Sequence, residues 1–263
     1  MAPRRAATCR SASAADVLGL SPYELAYVMA AVFCAGVVRG FSGFALSALI
    51  MASCVLILPP VVLIPVCTLL ELAASAMLMR GGLGEADRGM VLRLHGAAAL
   101  GIPAGLALTT SVDPNVSALI ALCLVSGLAT LQLARVQLPA RGCATTLGVG
   151  LMAGLATGLA SIGGMVIVLY VLALNMPARM ARASMIFSVF LGGSLSLFWQ
   201  FAFGMTNWLA LQRALVLLLP CLAGIWVGRA LFVPAYERHY RRFCLSLLLA
   251  LAAIGIVQRI AAR

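Results

Sequence analysis

The chain has 263 residues, 63% of them hydrophobic and 10% charged, with a mean hydropathy of +1.11. A soluble domain carries roughly 25% charged residues, so this composition excludes a single water-facing core and describes a polytopic membrane protein. All 18 basic residues are Arg, giving a formal net charge of +11; they are spread over loops and termini with no aromatic interleaving, which reads as topology signal and lipid-headgroup contact and not as nucleic-acid binding.

Residues 1–22 form a tail rich in Arg, Ala and Ser, with no signal-peptide core before Tyr23, so the first span is expected to direct insertion. Apolar runs then follow at 25–38, 44–58, 61–79, 94–110, 116–133, 143–156, 165–174, 183–203, 215–232 and 243–260. Pro59, Pro60, Gly81, Gly82, Pro114, Pro139, Pro177 and Pro234 punctuate them, as helix boundaries do. The runs are continuously apolar, not alternating, which predicts helices and not barrel strands. The expected fold is all-α and polytopic, with about 8–10 transmembrane segments.

Two segments carry a glycine-rich interruption. The first holds Gly36, Arg39, Gly40, Ser42 and Gly43; the second holds Gly154, Gly158, Ser161, Gly163 and Gly164. Advancing the first by 118 positions lays Gly36 on Gly154, Gly40 on Gly158 and Pro59 on Pro177. Matched, interrupted apolar segments in two halves of a chain point to the binding site of a secondary transporter. The stretch 23–58 would run about 54 Å as one helix, against a bilayer core of roughly 30 Å. It is therefore expected to form two short helices, re-entrant or crossing, with the second starting near Phe44. The same holds for 143–174.

Each half then has five segments, and an odd number inverts the second half. The Arg distribution agrees. The connection at Pro59 has no Arg and its counterpart 175–182 has two; 80–93 has three and 200–213 has one; 109–115 has none and 229–242 has four. Each pair is opposed, as inverted repeats under the positive-inside rule require. The reading is an N-terminal tail at 1–22 and two inverted repeats, 23–138 and 142–262, with Arg4, Arg5 and Arg10 left on the outer side.

Arg39, with Gly40, Ser42 and Gly43 beside it and a helix starting just beyond, presents a guanidinium, backbone N–H groups and a helix N-terminus, the ingredients of an anion site. Alternatively Arg39 snorkels to the interface. Ser161, Gly163 and Gly164 offer the same backbone donors, or simply close helix packing. Glu71 lies near the middle of its run, where an ionised carboxylate is costly. It is a proton carrier, the partner of Arg39, or a neutral tie between helices. Arg182 is either the second break's cation or a topology residue. His95 and His239 lie near loop edges and read as interface residues. Gly101 with Gly105, and Gly224 with Gly228, read as close-packing pairs in corresponding helices and only secondarily as faces of a homodimer.

The eight Cys show no C-x-x-C spacing and read as small hydrophobes. No metal cluster, cofactor motif or nucleophile motif appears, so no cofactor and no enzyme activity is expected.

The run from Val38 to Ala45 with Arg39, Gly40, Ser42 and Gly43, followed by Pro59, Pro60, Pro65 and Glu71, resembles the sulfite exporter TauE/SafE family of bacterial membrane transporters. Gly154 to Gly164, and Met176, Pro177, Arg179, Arg182 and Ser184, fit the same resemblance from Tyr23 nearly to the end. The resemblance implies an inner-membrane carrier, in the export direction, for small anions such as sulfite or organosulfonates. Uptake of another small carboxylate is the alternative within transport, and a non-transporting membrane scaffold is the alternative outside it.

Overall fold

The computed structural model describes residues 19–43, 45–79, 84–134, 142–174, 176–231 and 237–261. The expectations placed on the tail before residue 19, on Cys9, on Phe44 and on the side chains of Ser42 and His239 lie outside the described residues.

Among the described residues there are ten helices and no strands: α1 Pro22–Ser42, α2 Leu46–Cys54, α3 Pro60–Met79, α4 Arg88–Ser111, α5 Pro114–Leu133, α6 Cys143–Ala160, α7 Gly163–Ala173, α8 Ala178–Ala202, α9 Trp208–Ala230 and α10 Glu237–Ala261. Each coincides with one of the ten apolar runs. Seven are long and apolar enough to cross a membrane: α1, α3, α4, α5, α6, α8 and α9. In α10 the apolar part is Phe243–Arg259, behind a charged start.

Helix starts follow from local chemistry. Ser21 accepts from the Glu24 amide while Glu24 reaches back to the Ser21 amide, a reciprocal cap for α1. Asp87 caps α4, Asn207 caps α9, and Asp113 with Pro114 opens α5. Many outward-facing side chains are large and apolar, among them Leu219 at 76% exposure and Trp208 at 69%. Such a surface is stable against lipid and would not be in water.

The most extensive interfaces are α4 with α6 and α1 with α9; α5 packs on α10 and α3 on α8. Lesser contacts join α1 to α2, α6 to α7, α3 to α9 and α4 to α8. Exchanging the first five helices for the second five turns every one of these pairs into another of them, or into itself. The two largest interfaces join one half to the other, so the halves interlock.

Glycine makes those interfaces possible. A Cβ on Gly105 would fall 2.9 Å from the Gly158 Cα, and one on Gly101 3.1 Å from the Gly154 Cα. On the other side a Cβ on Gly40 would fall 2.9 Å from the Gly228 Cα, and one on Gly36 3.3 Å from the Gly224 Cα. Each of these Cβ atoms would also lie 2.3–2.6 Å from a backbone oxygen of the crossing helix, closer than real Cβ atoms come, and small residues let backbones approach this closely. The two matched glycine pairs of the breaks therefore meet the two close-packing pairs of α4 and α9. Gly40 lies within α1 and serves helix crossing.

The breaks differ from the expectation of two short arms. α1 has 21 residues, enough at about 1.5 Å each to span the core. Only the second arm is short, 9 residues in α2 and 11 in α7. The first turn of the break comes after Arg39 and Gly40, which stay helical. Gly43 leaves the helix at φ 77°, and Ser161, 118 positions later, does so at φ 57°. Their amides close the preceding helices on the carbonyls of Arg39 and Thr157, at 2.9 and 2.8 Å. Ala45, just before α2, also sits at φ 72°, a conformation costing a residue with a Cβ about 1–2 kcal/mol.

Candidate functional site

The breaks face each other across an internal cavity of about 60 Å³, room for a few waters or one small anion. Arg39, Gly43, Ser47 and Glu71 line it from the first half, and Ser161, Gly163, Gly164 and Ser188 from the second. Arg182 lies away from it, exposed on α8, and Gly40 is consumed by the crossing with α9.

Arg39 occupies the last turn of α1, where a cation also complements the helix dipole. Its side chain is 2% exposed and its charge is matched: Nη2 stands 3.3 Å from Glu71 Oε2. Nη1 donates to the Gly43 carbonyl at 2.7 Å and Nη2 to Ser75 Oγ at 3.3 Å. The guanidinium thus clamps the break from inside, tying the end of α1 to α3. Arg39 lines the cavity and is buried there rather than snorkelling to an interface, and its partner is Glu71, one of the roles the sequence left open for that carboxylate.

Glu71 reaches from α3 to the start of α2. Its Oε1 accepts the Ser47 hydroxyl at 2.9 Å and the Ser47 amide at 3.3 Å. Ser47 is the second residue of α2, so its N–H has no acceptor within the helix. The N-terminus expected to take a substrate anion therefore already holds the protein's own carboxylate. Arg39 Nε and Glu71 Oε2 make no hydrogen bond among the described residues, so the pair keeps spare bonding capacity.

Several polar groups at this site gave no signal in the sequence. Thr68 sits at the junction of the halves: Gln200 Nε2 donates to Thr68 Oγ1 at 2.8 Å, and the Ser161 hydroxyl lies 3.5 Å from it. Gln200 Nε2 also donates to Ser196 Oγ at 2.8 Å. His95, expected at an interface, is instead buried two turns into α4 and lines the cavity, its Nδ1 2.9 Å from the Val91 carbonyl oxygen. Ser188 is fully buried and its hydroxyl has no partner among the described residues. Ser, Thr and Gln inside an apolar run look like ordinary helix packing until the facing helix is known.

A second hollow, about 530 Å³, opens among α4, α6 and α7. Asp87, Arg93, Thr146 and Tyr170 line it, and the Tyr170 and Thr146 hydroxyls are 2.6 Å apart. Among the described residues no cluster of His, Cys, Asp and Glu could hold a metal ion. Cys54, Cys67, Cys221 and Cys244 are buried and unbridged.

A bundle of apolar spans, with two interrupted helices meeting at a cavity beside an ion pair, describes a multi-pass membrane protein with charged groups set among its helices. The sequence profile described as sulfite exporter TauE/SafE matches residues 28–254. The chain belongs to that family, whose members are membrane transporters. No curated protein and no solved structure matches the chain significantly.

Proposed function

We propose that the protein is an inner-membrane carrier that exports a small anion, such as sulfite or an organosulfonate. The family supports the sulfur-anion class. The observation that carries the reading further is the cavity between the breaks, small enough for one compact anion and lined by hydroxyls, helix-start amides and a charge-matched Arg39. A scaffold has no use for a buried Arg and Glu, each of which is expensive at membrane depth.

In this reading residues 23–138 and 142–262 are two repeats of opposite orientation, and transport is a rocking of one against the other about the cavity. The interchangeable helix pairings and the opposed Arg counts support it. The hollow at Arg93 and Tyr170 is the mouth on the Arg-rich, cytoplasmic side. Glu71, a carboxylate that lines the cavity, is the proton-coupling group. The test is thermal unfolding of the purified full chain against a panel of small anions. Sulfite or a sulfonate should raise the melting temperature in a concentration-dependent, saturable way; a flat response across the panel contradicts the reading.

A further inference from the structure

The start of α2 shows how this fold holds a carboxylate. Ser47 supplies an amide and a hydroxyl, and Glu71 Oε1 accepts both. α3 begins at Pro60 and α8 at Ala178, so the 118-residue relation that aligns the breaks extends into these helices. Under it Glu71 falls on Val189 and Arg39 on Thr157. The second half therefore has the same helix start and neither of the two charged groups.

That start is open. Ile162, which precedes α7, gives no side-chain cap, and Gly163 and Gly164 are its first two residues, with amides that have no acceptor within the helix. The site is buried and closely built: there is no space for a Cβ on Gly163 against Thr157 and Ala153. An independent observation points to a ligand. Ser188, fully buried, lines the same cavity with a hydroxyl that has no partner among the described residues. Its neighbour Val189 approaches the same turn, with Cγ2 3.8 Å from where a Cβ of Gly164 would stand.

We propose that the transported anion seats at the start of α7, in the place that the Glu71 carboxylate takes at the start of α2. It accepts from the Gly163 and Gly164 amides and from the Ser188 hydroxyl. The proposal rests on the carrier reading above and names its binding seat. It also names the charge class. All donors at the seat are neutral, the helix end offers about half a positive charge, and Arg39 is already balanced by Glu71. A monovalent oxyanion is matched there, whereas a dianion leaves buried charge uncompensated.

The experiment is isothermal titration of the purified full chain with sulfite, methanesulfonate and sulfate, in wild type, Ser188→Ala, Val189→Glu and Val189→Gln. Methanesulfonate and sulfate present similar oxygens and differ in charge; methanesulfonate should bind at least tenfold more tightly. Ser188→Ala removes one charge-assisted hydrogen bond and should weaken binding about tenfold or more. Val189→Glu installs a resident carboxylate at the seat and should abolish binding while the melting temperature holds; Val189→Gln should retain most of it. Should Val189→Glu not fold, Ser188→Ala and the charge order decide. Wild-type-like affinity in both Ser188→Ala and Val189→Glu, or tighter binding of sulfate than of methanesulfonate, overturns the seat and leaves the carrier reading intact. Wild type that binds none of the three overturns both.

Discussion

Arg39, buried, and Glu71, half-buried, form an ion pair, Nη2 to Oε2 at 3.3 Å, that joins the end of α1 to the middle of α3 beside the break. Each charge lies where it could not stand alone. The pair, together with Ser47 and Gly43, ties the end of α1, the start of α2 and the middle of α3 to one another.

Arg39→Ala should destabilise the protein by about 3–5 kcal/mol, because it strands a buried carboxylate. Replacing both partners, Arg39→Met with Glu71→Leu, should recover most of that loss, since apolar side chains of similar volume pack without desolvation cost. Unfolding of wild type, Arg39→Met, Glu71→Leu and the double variant in detergent gives the coupling directly. Additive losses would mean that the two residues do not interact.

Glu71→Gln should retain anion binding and lose the dependence of transport on an imposed pH gradient. Gln is nearly isosteric and can still accept from Ser47, but it cannot carry a proton. Flux in vesicles with and without a pH step is the readout. A variant that still responds to the gradient as wild type does removes Glu71 from the coupling.

Gly105→Ala and Gly228→Ala should each cost about 1–3 kcal/mol, since each added methyl meets the backbone of the crossing helix. Gly127→Ala on α5 has no atom within 4 Å and should be neutral or stabilising by up to about 1 kcal/mol. Thermal unfolding separates the two classes; equal effects at all three sites would contradict the crossing geometry.

Cysteine accessibility tests orientation. In a Cys-free background, Glu85→Cys and Leu231→Cys should label from the cytoplasmic side and Phe203→Cys from the opposite side. Labelling of positions 85 and 231 from opposite faces contradicts the inverted arrangement.

The ten helices were legible because continuous apolarity between Pro and Gly boundaries leaves little else for a chain to form. Both breaks were legible through glycine, but its two uses were not separable. Gly43 is there for its left-handed backbone, whereas Gly36, Gly40, Gly154 and Gly158 are there for close crossing. A sequence shows the missing side chain and not what occupies its space. The pairing of Arg39 with Glu71 was one of several roles open to Glu71, and only the side-chain geometry of the folded chain selects it. His95 looked peripheral because the helix start at Arg88 was not placed. Ser188 gave no signal at all: a hydroxyl in an apolar run acquires meaning only when its lack of a partner can be seen.

The most direct test of the central claim is flux of radiolabelled sulfite in proteoliposomes holding the wild-type chain. The account predicts saturable sulfite movement above that of protein-free vesicles, suppressed by excess unlabelled sulfite or methanesulfonate. Flux equal to that of protein-free vesicles, from protein shown to be folded and inserted, would contradict it.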